Sequence, residues 1–240
     1  TIVLTNDLPV TYFSDNSLTG PLNWIYSPQG EMNQILYWPS VRLGEALSEF
    51  APGLTVEQNY LVTYFYGNTS RMVVAYFEPP SCFRVVDPEI DPQNGLLPPL
   101  IRDAAYLSNH AMITMQPLGK LPPSLYEPEP THNWCYYFEQ ADLARQMGNW
   151  ERVAELGDKA FKLDDYPNDP LERFVFVEGY AHVGEWEKAL KYARVSYKVS
   201  KNYVGPLLCT LWERIERDVP ASLEKDEFVI QAKTLFVCNP

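Results

Sequence analysis

Gly148-Asn149-Trp150-Glu151-Arg152-Val153 recurs as Gly184-Glu185-Trp186-Glu187-Lys188-Ala189, with Trp150 and Trp186 lying 36 residues apart. That offset belongs to helical-hairpin repeats, where a glycine turn joins two helices. Followed outward, the offset predicts first helices beginning near Trp134, Pro170 and Gly205, and second helices near Trp150, Trp186 and Ser222. Apolar residues fall at helical spacing in each. Trp134, Tyr137, Phe138, Ala141 and Ala144 make one stripe; Trp150, Val153, Ala154, Gly157, Ala160 and Phe161 make its counterpart. In the third unit Asp218-Val219-Pro220 replaces the glycine turn and no tryptophan follows. Pro220 ends the helix there and Ser222 is placed to cap the next. Three hairpins are expected, the last degenerate, as the closing unit of a stacked array is.

The rest of the chain reads differently. Residues 1–115 mix strand and helix signals, residues 116–133 form a linker carrying Pro117, Pro122, Pro123, Pro128 and Pro130, and residues 134–240 are helical. In the first part Ile2 to Leu4 reads as a buried strand. Helices are expected over Leu18 to Tyr26, Val41 to Phe50 and Leu97 to Asn109. Tyr60 to Tyr66 and Met72 to Phe77, rich in Val, Tyr and Phe and separated by Gly67-Asn68-Thr69-Ser70, read as a hairpin, and Cys82 to Val86 as a further strand. Strands interspersed with helices give an α/β or α+β domain.

The repeated residues resemble the tetratricopeptide family, whose pattern asks for a small residue, a Gly-x-Tyr/Trp turn and alanines in the second helix. Gly148, Trp150 and Ala160, and Gly184, Trp186 and Ala189, fit; Val153 and Ser196 stand where the family prefers Ala. The resemblance covers residues 134–201 well and the remainder weakly. It implies a groove lined by first helices that binds a protein or peptide, with Tyr137, Gln140, Asp142, Arg173 and Tyr180 near it.

Residues 15–24, Asp-Asn-Ser-Leu-Thr-Gly-Pro-Leu-Asn-Trp, and residues 134–142, Trp-Cys-Tyr-Tyr-Phe-Glu-Gln-Ala-Asp, are similar to the C-terminal region of large bacterial polytopic membrane proteins that resemble lipid-linked-sugar glycosyltransferases. This resemblance implies an extracytoplasmic region of a longer membrane protein, with a cytoplasmic location as the alternative. The chain opens at Thr1 without an initiator Met, as a processed or excised piece would. On this reading the partner is a protein, a peptide or the membrane part of the parent.

Composition narrows the chemistry. A net charge of -12 repels phosphate backbones and anionic lipid, so neither nucleic acid nor direct membrane insertion is expected. With 21 prolines and 14% aromatic residues the loops are expected to be ordered and packed by rings. Cys82, Cys135, Cys209 and Cys238 have no zinc-ligand spacing; four buried thiols is the first reading, and one Cys82–Cys135 disulfide in an oxidising compartment the alternative. His110, His132 and His182 are too scattered for a metal site, and no nucleophile, phosphate-loop or dinucleotide motif is present, so no cofactor is expected. The run Asp87 to Asn94 alternates oxygen ligands, but prolines 88 and 92 make it read as stiffened turns in preference to a calcium loop. Two other readings stand: Asp15 as a carboxylate in a sugar-handling site completed by membrane segments, and Trp24 with Trp38 as a sugar-stacking surface, each set against helix capping or core packing.

Overall fold

The computed structural model describes residues 1–6, 38–40, 47, 49–60, 63–113 and 131–238, with the backbone alone at 38–40, 58–60 and 63–65. The expected helix from Leu18 to Tyr26, most of Val41 to Phe50, and most of the 116–133 linker lie outside these residues. The chain divides into two compact units. The first comprises Thr1–Phe77, Val85–Pro88 and Pro98–Thr131; the second comprises Glu78–Arg84, Glu89–Leu97 and His132–Pro240. Two stretches from the middle of the N-terminal half thus belong to the helical unit.

In the first unit, β1 (Ile2–Leu4), β2 (Trp38–Ser40), β5 (Met72–Tyr76) and β6 (Arg84–Val85) form a sheet in the order β2-β1-β5-β6, and β3 (Thr55–Tyr60) and β4 (Thr63–Asn68) form a separate antiparallel pair. β1 runs parallel to both neighbours, with Ile2 opposite Met72 and Leu4 opposite Val74. This corrects the expected hairpin. The real one turns between Tyr60 and Thr63, while Thr69–Arg71 is a short 3-10 turn that carries the chain into the other sheet. Met72 to Ala75 are all buried, an unbroken apolar run of the kind covered on both faces in parallel sheets. α1 (Pro99–Ala104) packs on β5 with Ile101 and Ala104 inward. Asn109 N–H then donates to Met72 O (2.8 Å), and Val74 N–H to Ser108 Oγ (3.2 Å).

The second unit holds α2 (Trp134–Gln146), α3 (Trp150–Ala160), α4 (Phe174–His182), α5 (Trp186–Val199), α6 (Lys201–Asp218) and α7 (Leu223–Phe236). These are three consecutive hairpins. Asn133, Asn149 and Ser222 cap α2, α3 and α7 through their side chains. Gly148 (φ 68°) and Gly184 (φ 79°) take the left-handed turns that other residues adopt only at a cost. The third turn lacks a glycine. There Lys225, 6% exposed, reaches back so that Nζ donates to Glu216 O and Val219 O, both at 2.7 Å, and satisfies the last carbonyls of α6. α6 begins at Lys201, not near Gly205, so Pro206 lies inside it and forfeits one helical hydrogen bond.

Each helix packs on the next, and α2, α4 and α6 also pack side by side as one layer. α4 sits in the middle and is buried from Phe174 through Ala181. Trp134, Phe161 and Phe176 meet edge to face, with centroids 5.3–5.6 Å apart, where the first hairpin joins the second. α3 and α4 approach so closely that a Cβ on Gly179 would stand 2.3 Å from Val153 Cγ1. Both cysteine pairs are disulfides: Cys82–Cys135 and Cys209–Cys238. The reading of four buried thiols is therefore corrected. Gly179→Ala is expected to force α3 and α4 apart and cost roughly 1–3 kcal/mol, measured as a lower urea midpoint with an unchanged slope.

Candidate functional site: the face of the first helices

α2, α4 and α6 carry acidic or basic residues at equivalent places. Asp142, Glu178 and Arg214 are spaced by 36 residues each time. A polar residue repeated at one position of stacked hairpins forms a row, because each repeat advances by one helix layer. Here the row is a chain of ion pairs. Arg145 Nε donates to Asp142 Oδ1 at 3.0 Å, and Gln146 Nε2 to Asp142 Oδ2 at 3.0 Å. Arg145 Nη1 lies 3.8 Å from Glu178 Oε2. On the other side Arg214 grips Glu178 with two nitrogens, at 2.8 and 2.9 Å. The Glu178 side chain is 4% exposed and that of Arg214 9%, so water screens these charges little. Next along each helix come Gln146, His182 and Asp218, again 36 apart. His182 stacks on Trp150 at 3.6 Å, and burial lowers its pKa, Asp218 opposing and nearby Arg214 assisting.

The chain's own segments from Glu78 to Arg84 and Glu89 to Leu97 meet the same helices. Cys82 is bonded to Cys135 of α2, and Cys82 N–H donates to Glu172 Oε1 at 2.9 Å. The Phe83 amide donates to the Glu139 carboxylate. Asn94 Oδ1 accepts from Tyr203 Oη of α6 at 3.0 Å, and Glu89 accepts from Arg217 Nη2 at 3.0 and 3.1 Å. Ile90 and Cys82 join the apolar core of the helices, and the 3-10 turn Asp91–Gln93 packs on α6. Cys135, Glu139 and Asp142 are spaced four and three apart on α2, and Tyr203, Arg214 and Arg217 share a face of α6. A turn-rich piece of chain therefore lies against α2, the 3-10 turn before α4, and α6.

Within that piece Arg84 holds Asp91 through both oxygens at 2.8–3.0 Å, with Asp91 wholly buried and Asn94 adding a further bond to it. Burial opposes the Arg84 charge, but Asp91 and Asp169 together outweigh it and raise the guanidinium pKa. Asp91, one of the oxygen ligands in the Asp87 to Asn94 run, is thus engaged by an arginine. Among the described residues no group of His, Cys, Asp and Glu could hold a metal ion. A cleft of about 710 Å³ beside Cys209–Cys238 has Lys201 and Glu213 as its only charged lining residues.

The five residues read as groove-lining do not share one face. Asp142 joins the ionic row. Gln140 is exposed, Tyr137 packs partly against the core, and Arg173 lies in the 3-10 turn before α4, its pKa lowered by burial. Tyr180 is 0% exposed and turned the other way, its hydroxyl donating to Asp158 Oδ1 of α3 at 2.9 Å. The reason is helical geometry: residue 180 is two positions beyond 178, about 200° around the helix. Asp15 and Trp24 lie outside the described residues, and Trp38 is described by its backbone in β2. The signal that would have found Glu178 and Arg214 was present: the 36-residue offset applied to charged positions as well as apolar ones. No protein-family model matches the chain, and neither the curated proteins nor the solved structures give a match.

Two outcomes follow from these electrostatics. Glu178→Gln withdraws the counter-charge from a buried guanidinium and is expected to cost about 3 kcal/mol in chemical denaturation, whereas Glu155→Gln, which breaks an exposed pair with Arg152, costs under about 1 kcal/mol. Glu172 is 1% exposed, and burial, assisted by Asp169 and opposed by the donations from Cys82 N–H and Trp134 Nε1–H, pushes its pKa up from 4.5 to about 7. A carboxyl raised on folding stabilises fully below its unfolded pKa, and that contribution is lost as pH rises through 7. Stability should accordingly fall by up to roughly 3 kcal/mol between about pH 4.5 and 7 from this group, and Glu172→Gln should flatten that part of the profile.

Proposed function

We propose that this chain is a non-catalytic interaction and scaffolding module, in which a tetratricopeptide-like array of three hairpins holds a turn-rich segment of the same polypeptide. The observation that carries the reading is the seating of residues 78–84 and 89–97 on α2, the 3-10 turn before α4, and α6, with Cys82–Cys135 as a covalent anchor. Arrays of this kind hold pieces of polypeptide; here the piece held is their own. The ionic row and the Glu172 carboxylate serve that purpose by fixing the layer and receiving the Cys82 amide.

The module is proposed to be the extracytoplasmic region of a larger bacterial membrane protein of the kind that resembles lipid-linked-sugar glycosyltransferases. Two disulfides with no free cysteine support an oxidising compartment, since the cytosol keeps thiols reduced. Among the described residues no helix is long and apolar enough to cross a membrane. Any catalysis would then belong to the membrane part of the parent, and this region would connect to that part or to a protein partner.

Hydrogen exchange tests the holding role. In the intact oxidised chain the amides of Cys82 and Asn94 are expected to exchange as slowly as those of α4. In the Cys82→Ala/Cys135→Ala double variant they should exchange at least about tenfold faster, because closing a chain segment with a disulfide limits its opening. Exchange at the rate of an unprotected loop in the intact chain would sink the reading.

A further inference from the structure

Among the described residues Val237 alone, glycines aside, holds a left-handed backbone, with φ 60° and ψ 43°. The turns after α2 and α4 give that conformation to Gly148 and Gly184. A β-branched residue adopts it at a cost, and such a conformation persists only where its surroundings impose it. Side-chain packing does not impose it here, because Val237 is 75% exposed. What remains are the backbone bonds of the turn and the residue that follows. Cys238 N–H donates to Lys233 O at 2.9 Å, closing the last turn of α7, and Cys238 is bonded to Cys209 of α6. The disulfide thus pins the neighbour of the strained residue.

That bond is also the more accessible of the two. Cys209 and Cys238 are half-buried and line the cleft of about 710 Å³, together with Tyr197 at the end of α5, Gly205 of α6 and Phe236 of α7. Cys82 by contrast is 2% exposed, belongs to the core of the helices and has its amide held by Glu172. Exchange requires a thiolate to reach a disulfide sulfur, so access decides which bond reacts first. A net charge of -12 on the chain opposes an incoming thiolate, but in the cleft Lys201 offsets Glu213.

Independently of the interaction-module reading, we infer that Cys209–Cys238 is a thiol–disulfide exchange site whose redox state decides whether the end of α7 is closed. The substrate it takes is a dithiol. One thiolate of the dithiol attacks a sulfur of the bond, forming a mixed disulfide and releasing the other cysteine as a thiolate. The second thiol of the dithiol, as its thiolate, then breaks the mixed disulfide. The dithiol leaves as a disulfide, oxidised by two electrons, and its two protons end on Cys209 and Cys238. Once Cys238 is released from α6, Val237 relaxes out of the left-handed region and the Cys238 bond to Lys233 O opens. α7 stays on the array through Val229, Ala232 and Phe236, which are buried independently of the disulfide, so the change is confined to the rim of the cleft.

The test uses the oxidised full chain and dithiothreitol, with iodoacetamide trapping and peptide mass mapping. Cys209 and Cys238 are expected to be alkylated at least about tenfold faster than Cys82 and Cys135. At that stage the Cys238 amide should exchange hydrogen at least about tenfold faster than in the oxidised chain, while the amides of α4 keep their rates. Val237→Gly separates the strained backbone from simple loss of a tether. Glycine takes a φ of 60° freely, so in that variant reduction should accelerate exchange at Cys238 by less than about threefold. Equal alkylation rates for the two pairs, or faster alkylation of Cys82 and Cys135, overturns the exchange site. Unchanged exchange at Cys238 in the reduced wild-type chain overturns the switch, as does an equally large acceleration in Val237→Gly. The Cys82 and Asn94 amides are read before Cys82–Cys135 opens, so the holding role stands or falls separately.

Discussion

The second unit depends on one carboxylate. Glu178 is almost wholly removed from water and lies between a guanidinium from the hairpin before it and one from the hairpin after it. Desolvating such a group is expensive, and a buried ion pair is weak evidence for stability by itself. Its consequence is positional. Apolar ridges can slip by a turn with little loss, whereas a buried carboxylate gripped by Arg214 through two nitrogens tolerates no such slip, because a slipped register strands charge in the interior. The equal spacing of Asp142, Glu178 and Arg214 is the sequence record of that register.

A layer ordered in this way becomes a firm bed for a segment of polypeptide, and the chain supplies one in residues 78–84 and 89–97. Glu172 accepts from the Cys82 amide and, at 2.7 Å, from Trp134 Nε1, so a single buried acid joins the seated segment to the aromatic junction between the first two hairpins. The disulfide from Cys82 reaches Cys135, the very next residue after Trp134. Covalent, hydrogen-bonding and aromatic contacts thus converge within one turn of α2.

Legibility followed the physics of each element. The hairpins were readable because a helix pair announces itself through a glycine turn and a stripe of period 3.6, and Trp134, Trp150, Trp186 and Ser222 all mark true starts or caps. The start of α6 was missed because Gly205 and Pro206 look like a boundary; one lost hydrogen bond is affordable in a helix 18 residues long. The N-terminal hairpin was misread for a different reason: Met72 to Ala75 has the β-rich composition of a hairpin arm, and only its unbroken burial distinguishes a parallel core strand. Tyr180 is turned onto α3 because helical phase, which family position does not record, separates it from Glu178. The seating of residues 78–84 and 89–97 was beyond reach, since no local pattern records which distant surface such a segment will cover.

The third hairpin shows that loss of a sequence signature is not loss of structure. It lacks the glycine and the tryptophan that mark the first two turns, yet α6 and α7 pack as a hairpin. The carbonyls that a left-handed glycine turn would satisfy are satisfied instead by an ammonium: Lys225 Nζ donates to Glu216 O and Val219 O. At the other end of α7 the Cys209–Cys238 disulfide ties the helix to α6. A side chain from the following helix and a covalent bond thus supply what two residues of the repeat supply elsewhere, which is why the fold of the unit outlasts its motif.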